Sequence, residues 1–302
     1  MTRYAAPRTT AEAVQLLADR PGARLVAGGT DLVVAARVGK HPLPGSLVAL
    51  HEITELAGRR YLGTGLELGA LTAHAWIEQA PDIRARWSAL ADAAAMIGSP
   101  ATRATGTIGG NLMNASPAMD TGSPLLVLGA TVELRHSEGS RSLSVADLLA
   151  GPGRTTAAAG ELLTTVFLPA PTPGTGSAYV RLGHRKAMEI AIVGAAAALG
   201  IGSDGLIVSS RVALTAVAPT CQEVPDVADI LVGHRPDPSL FAAAARMAAA
   251  AVQPISDVRA SADYRRAMTG VVLERALTSA ARRAADADAG SHWALADTRR
   301  NP

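Results

Sequence analysis

Between residues 169 and 176 the chain reads Pro-Ala-Pro-Thr-Pro-Gly-Thr-Gly, and no regular element continues through it. Each proline removes a backbone donor and restricts φ, while the glycines favour turn conformations. The stretch is the clearest boundary in the sequence. A chain of 302 residues has room for two modest domains, or three small ones, each with its own core.

Elements on either side are readable from periodicity. Thr9 and Glu12 form a capping-box pattern, Val14 and Leu17 mark an apolar face, and Pro21-Gly22 stop that helix. Arg24-Leu25-Val26 reads as a short buried strand, Leu32–Val38 as helical, and Val48-Ala49-Leu50 as a second strand. Alternation through Gly63, Gly65 and Gly69 suits a hairpin over Tyr61–Ala70. Helices are expected over Thr72–Gln79 and Asp82–Ile97, the latter with Ile83, Trp87, Leu90 and Ala94 along one side. Residues 98–124 hold no long periodic element, yet are too apolar for a linker, and such a segment inside a domain is more often functional than idle. Strands follow at Thr131–Arg135, Arg141–Leu143 and Leu162–Leu168, with a short capped helix at Ser144–Leu149. Beyond the boundary come strand-like runs at Ala178–Leu182, Ala191–Leu199 and Leu206–Ala216, with a turn signal at Ser203-Asp204-Gly205. The remainder reads as helical over Val227–Val232, Pro238–Val252 and Ser261–Ala285.

Composition excludes several function classes. The 28 Lys and Arg nearly balance 26 Asp and Glu, so there is no basic footprint for nucleic acid, and the basic end with Arg282, Arg283, Arg299 and Arg300 reads as a solvated tail. The single cysteine, Cys221, cannot form an internal disulfide, a four-thiolate iron–sulfur cluster or a structural zinc site. It reads as a small buried hydrophobe. The seven histidines are scattered, with none at metal-ligand spacing. The N-terminus has no secretory apolar region, and the Ala-rich stretch Ile190–Ile201 is too short to span a bilayer. The cytoplasm is the default compartment.

Two segments put Gly-Gly beside small polar residues. In Ala27-Gly28-Gly29-Thr30-Asp31-Leu32, a strand enters and a helix leaves. Glycine there permits positive φ and lets backbone N–H groups approach a phosphate with no Cβ in the way, and the helix N-terminus adds partial positive charge. Thr107-Ile108-Gly109-Gly110-Asn111 offers similar geometry with hydroxyl and amide donors. Two such nests facing each other would clamp a pyrophosphate. Asn114, Ser116 and Asp120 could serve ribose or ribityl hydroxyls. Either loop alone is more often structural than phosphate-binding. The dinucleotide fingerprint is absent from the first strand–helix turn, and there is no Walker sequence, so a nucleotide would sit in a non-Rossmann frame. No nucleophile elbow occurs, and Asp120 has no evident partner carboxylate. Such a chain suits chemistry that belongs to a cofactor.

Five ordered stretches carry a resemblance: LVAGGTDLVV (25–34), TIGGNLMNASPAMDTGSPLLVLGA (107–130), GPGRTTAAAGELLTTVFLPAP (151–171), YVRLGHRKAMEIAIVGAAAAL (179–199) and PISDVRASADYRRAMTGVVLERAL (254–277). Together they resemble the FAD-binding medium subunit of the molybdenum hydroxylases, a family that includes xanthine dehydrogenase, aerobic carbon monoxide dehydrogenase and nicotine dehydrogenase. The match reaches to about Ala285.

The resemblance implies an α+β fold: a two-part FAD-binding domain of the vanillyl-alcohol-oxidase-like type, then a domain with a three-stranded antiparallel sheet and a helical bundle. The implied division is 1–175 (parts of about 1–57 and 58–175), 176–285, and a disordered tail over 286–302. Ala27–Leu32 and Thr107–Asn111 would hold the pyrophosphate of a non-covalent FAD. Asn114, Ser116 and Asp120 would meet its sugar and ribityl parts, and Leu163 would pack near the ring. Arg181 stands where several relatives have lysine near the flavin, and Glu189 where they often have aspartate. The family's electrons reach FAD from molybdopterin and 2Fe–2S clusters, which would lie on a large and a small partner subunit, and leave to an external acceptor. Two other readings stay open on the residues: a free-standing FAD-dependent oxidase or dehydrogenase, and a scaffold that has lost FAD.

Overall fold

The computed structural model describes residues 3–39 and 41–289. Its first unit is small and parallel. Strand β1 (Arg3–Ala5) leads to helix α1 (Thr10–Asp19), where Thr9 caps the Glu12 N–H through its side chain. Strand β2 (Arg24–Val26), helix α2 (Leu32–Arg37) and strand β3 (Ser46–Ala49) complete it, in the sheet order β1-β3-β2. Ala13, Val14, Val48, Leu50, Ile53 and Leu56 fill the space beneath. Strand β1 is absent from the sequence reading because three residues carry no measurable alternation.

The second unit is an antiparallel sheet wrapped by short helices. Strands β4 (Arg59–Leu62) and β5 (Gly65–Gly69) form the expected hairpin. Helices α3 (His74–Gln79), α4 (Pro81–Arg86), α5 (Ser88–Met96), α6 (Pro100–Thr105), α7 (Ile108–Asn114) and α8 (Gly122–Val127) follow. Strands β6 (Thr131–His136) and β7 (Gly139–Ser144), helix α9 (Val145–Leu148), strands β8 (Leu149–Gly151) and β9 (Arg154–Thr155), and long strand β10 (Leu162–Pro169) close the unit. The sheet order β4-β5-β10-β6-β7 puts β10 in the middle, where Leu162 and Leu163 open the strand buried and Val166 and Leu168 then alternate with half-buried neighbours.

Two features here differ from the periodicity. The helix expected over 82–97 breaks at Trp87, which leaves helical geometry with φ −126° and ψ 46°. The indole is fully buried and donates to the Pro169 carbonyl at 2.8 Å. One ring thus turns the chain and ties it to the end of β10, a tertiary demand that overrides helix propensity. Residues 98–124, read as aperiodic, hold the two short helices α6 and α7 and the start of α8. The caps of α6 and α7, Ser99 over Thr102 and Thr107 over Gly110, supply what amphipathic pattern does not.

Strand β11 (Thr175–Leu182) opens the last unit and pairs with β12 (Val193–Ile201), which pairs with β13 (Ile207–Thr215) and the two-residue β14 (Gln222–Glu223), all antiparallel. Central β12 is Val-Gly-Ala-Ala-Ala-Ala-Leu-Gly-Ile and buried almost throughout. Helices α10 (Pro225–Asp229), α11 (Pro238–Ala251) and α12 (Ala262–Ala289) cover this sheet. Small residues let α12 lie close: a Cβ at Gly176 would overlap the Ala280 carbonyl and the Ala284 amide of that helix. Helix α12 continues through the first four residues of the stretch read as a tail, and 290–302 lie outside the described residues. Among the described residues no helix is long and apolar enough to cross a membrane, and no cluster of three His, Cys, Asp or Glu side chains could hold a metal ion.

Candidate functional site

Strand β2 ends at Val26 and the backbone turns through Ala27–Asp31 before α2 begins. Gly29 makes the turn at φ +68°, a left-handed value that glycine adopts without strain. At Gly28 the reason for glycine is contact: a Cβ would overlap the Thr105 carbonyl oxygen and come within 2.7 Å of its carbon. The first glycine segment is thereby pressed against the chain that leads into the second. Thr30 Oγ1 lies 3.5 Å, and Ala27 Cβ 3.6 Å, from Cβ positions built on Gly106 and Gly110 respectively. The two segments expected to face one another do.

Their donors are in different states. At the second segment, Ile108 N–H donates to Thr72 O (3.0 Å), Gly109 N–H to Ala70 O (2.9 Å) and Gly110 N–H to Thr107 Oγ1 (3.1 Å). The α7 N-terminus is therefore satisfied from within, and its glycines serve closeness: a Cβ at Gly109 would sit 2.7 Å from Ala70 O and Cβ. At the first segment, among the described residues, no protein acceptor takes the N–H groups of Gly28, Gly29, Thr30, Asp31 or Leu32. Gly28, Gly29, Thr30 and Leu32 are half-buried and Asp31 is exposed, so none of these donors is sealed in the core. An anion with several oxygens fits the first nest directly, and the second forms a wall.

The other expected residues divide. Asn111 Oδ1 accepts from Thr121 Oγ1 at 2.6 Å, which leaves its amide N–H groups for another partner. Asn114 is exposed at the end of α7, and Ser116 Oγ accepts from the Ala118 N–H. Asp120 is buried: Oδ1 accepts from Tyr179 Oη and Oδ2 from Arg181, both at 2.9 Å. Burial raises the Asp120 carboxyl pKa, against the pull of Arg181 and Tyr179. The Arg181 side chain, 4 % exposed, also donates to Met96 O at 3.0 Å and Glu189 O at 3.4 Å. Leu163, 2 % exposed on β10, is packed in the core of the second unit.

Two participants escape the sequence reading. Tyr179 shares the Asp120-facing side of β11 with Arg181 by the two-residue period of a strand, and that spacing was the available signal. His74 carried none. It is 2 % exposed, its backbone N–H donates to Gly106 O at 3.1 Å, and its ring Nδ1 is buried with no partner. Burial, aided by nearby Arg103 and opposed by the Thr107 backbone, lowers its pKa to about 4.

A histidine depressed in the fold is protonated preferentially when unfolded, so its contribution to stability is complete above pH 6.5 and is lost as pH falls towards 4. The shift corresponds to about 3 kcal/mol across that window. His74→Gln is expected to flatten the acid limb, measured as the difference between variant and wild-type urea midpoints at pH 6.5 and near pH 4. Parallel midpoints would mean that the ring titrates normally.

Residues 1–171 match the family described as FAD binding domain in molybdopterin dehydrogenase, and residues 155–280 match CO dehydrogenase flavoprotein C-terminal domain. The carbon monoxide dehydrogenase medium chain of Afipia carboxidovorans is 35% identical over 282 residues, covering 93% of this chain and 97% of that one. The nicotine 6-hydroxylase medium subunit of Paenarthrobacter nicotinovorans is 29% identical, with coverage of 93% and 98%. Among solved structures, a carbon monoxide dehydrogenase from Hydrogenophaga pseudoflava aligns with TM-score 0.89 at 32% identity, over 93% of this chain and 98% of that chain. Quinoline 2-oxidoreductase from Pseudomonas putida 86 aligns with TM-score 0.88 at 32% identity, over 94% and 98%. With both domain types in order and relatives matched over nearly their whole length, the chain belongs to the FAD-binding medium subunits of the molybdenum hydroxylase family.

Proposed function

We propose that this chain holds FAD between its two glycine segments and passes electrons from a small 2Fe–2S subunit, itself fed by a large molybdopterin subunit, to an external acceptor. The observation that carries the reading is the row of unpaired N–H donors from Gly28 to Leu32 beside the closely packed second segment. Bound FAD supplies the chemistry of accepting electrons singly and passing on a pair. The chain's own residues bind and orient. Ala27–Leu32 donate to the pyrophosphate, Thr107–Asn111 wall it in, and Asn111, Asn114 and Ser116 face the sugar and ribityl hydroxyls. Asp120, Leu163 and Arg181 act behind them.

In this reading residues 1–175 form the FAD-binding domain, with parts of about 1–57 and 58–175, and 176–285 form the C-terminal domain. The complex is a cytoplasmic hetero-oligomer. Flavin reduction by carbon monoxide, xanthine and N-heterocyclic substrates, followed by absorbance, tests the proposal. Reduction is expected only when the chain is co-expressed with its iron–sulfur and molybdopterin partners. Efficient reduction of the lone chain by such a substrate would establish a free-standing dehydrogenase, and a chain that takes up no FAD would establish a scaffold.

A further inference from the structure

The segment Pro117–Ser123 belongs by sequence to the FAD-binding half, yet the C-terminal domain touches it at Pro117, Met119, Asp120, Gly122 and Ser123. The Ala216 N–H donates to Pro117 O at 2.9 Å, and the Cys221 thiol reaches Pro117 O and Met119 O at 3.6 and 3.7 Å. Tyr179 and Arg181 take the two oxygens of Asp120. A Cβ at Gly122 would sit 2.5 Å from Cys221 Sγ, and Ser123 shares a 2.7 Å hydrogen bond with Thr215. The same segment reaches back to the glycine site, because Thr121 donates to Asn111 at 2.6 Å one turn into α7. Between them Ala115 is left-handed at φ +46°, ψ +41°. That geometry is unfavourable for alanine and persists only where both flanks are fixed.

Resting on the assignment of FAD to the paired glycine segments, we propose that Tyr179 and Arg181 are positioning residues for FAD. By gripping Asp120 they set the 115–121 loop and Asn111, so that FAD binding and docking of the C-terminal domain are thermodynamically linked. Arg181 suits the task because one nitrogen joins Asp120, the end of α5 at Met96 and the Glu189 carbonyl, three segments from both sides of the domain boundary. Linkage is reciprocal: whatever docking contributes to FAD affinity, FAD returns to docking by the same factor. The family's FAD-binding domain would then be incomplete as a binding unit without β11.

The test uses the full chain, stripped of FAD and titrated with it, with limited proteolysis at the 169–176 segment as a second readout. Arg181→Met is expected to raise the FAD dissociation constant about tenfold or more, within the usual range of site-to-site coupling. Tyr179→Phe, which removes one hydroxyl and keeps the ring, raises it by a smaller factor in the same direction, and Arg181→Lys stays near wild type. In wild type and variants alike, FAD slows cleavage at 169–176, and the variants require proportionally more FAD to reach the same protection. A merely structural role would lower stability without moving the dissociation constant. Unchanged FAD affinity in folded Arg181→Met overturns the proposal, as does unchanged affinity in Tyr179→Phe should Arg181→Met fail to fold. Failure of the wild-type chain to take up FAD would instead overturn the site assignment on which the proposal rests.

Discussion

Gly28→Ala is expected to empty the FAD site and to destabilise the first unit, although it adds one methyl group. The methyl would overlap the Thr105 carbonyl, and its neighbours there are backbone atoms on both sides, including Gly106 Cα at 3.2 Å. No rotamer change relieves such a clash, so the two glycine segments must separate. Overpacking of this kind costs about 2–3 kcal/mol, and the donors from Gly28 to Leu32 move away from the wall formed by Thr107–Asn111. The measurement is FAD per polypeptide after desalting, with the urea midpoint alongside. Gly45→Ala is the control, since a Cβ there meets nothing within 4 Å. Full FAD occupancy in Gly28→Ala would show that the two segments need not touch.

Asp120→Ala carries a comparably large penalty, mostly in stability. The carboxylate is the charged partner of an arginine that is 4 % exposed, and its removal leaves that guanidinium buried and the Tyr179 hydroxyl short of an acceptor. Breaking a buried pair from one side typically costs about 3–5 kcal/mol. From sequence alone Asp120 reads as a carboxylate that hydrogen-bonds sugar or ribityl hydroxyls, and a milder effect, confined to ligand binding, would follow. Comparing the urea midpoints of Asp120→Ala and of Asp120→Ala with Arg181→Met decides between the two. Recovery in the double variant marks the unpaired charge as the cause, whereas equal loss would return Asp120 to the simpler role.

Several elements were legible because their signals are local. The Pro-Gly break at 169–176 runs from the last residue of β10 to the first two of β11, the capping box starts α1, and the alternation around Gly63–Gly69 marks the β4–β5 hairpin. Around Ala27–Leu32 and Thr107–Asn111 glycine itself was the signal, and the two segments lie against each other at Gly28, Gly106 and Gly110. The division of labour between them was not legible. Whether an N–H is free depends on where Ala70 O and Thr72 O lie, and those positions are fixed by a turn nearly forty residues upstream. His74 and Tyr179 were hidden for the same reason, since each acquires its role from a partner distant in sequence. Trp87 shows the limit from the other direction, for its helical spacing was sound and its indole still broke the helix to reach Pro169.

Strand β11 touches α12 through backbone at Gly176, holds Ser88 through the Ser177 carbonyl, and carries Tyr179 and Arg181 further along. Near the far end of α12, Arg283 pairs with Asp92 on α5 at 2.6 Å and also reaches Ser177 O. Contacts of main chain on main chain have no rotamers to absorb a displacement, and close-packed interiors transmit strain. Strand and helix are therefore fixed against each other at Gly176, while Tyr179 and Arg181 further along the same strand reach Asp120 through their side chains. Any residue larger than glycine at position 176 would force α12 away from this strand, because the atoms it meets are main-chain atoms with no rotamer to give way.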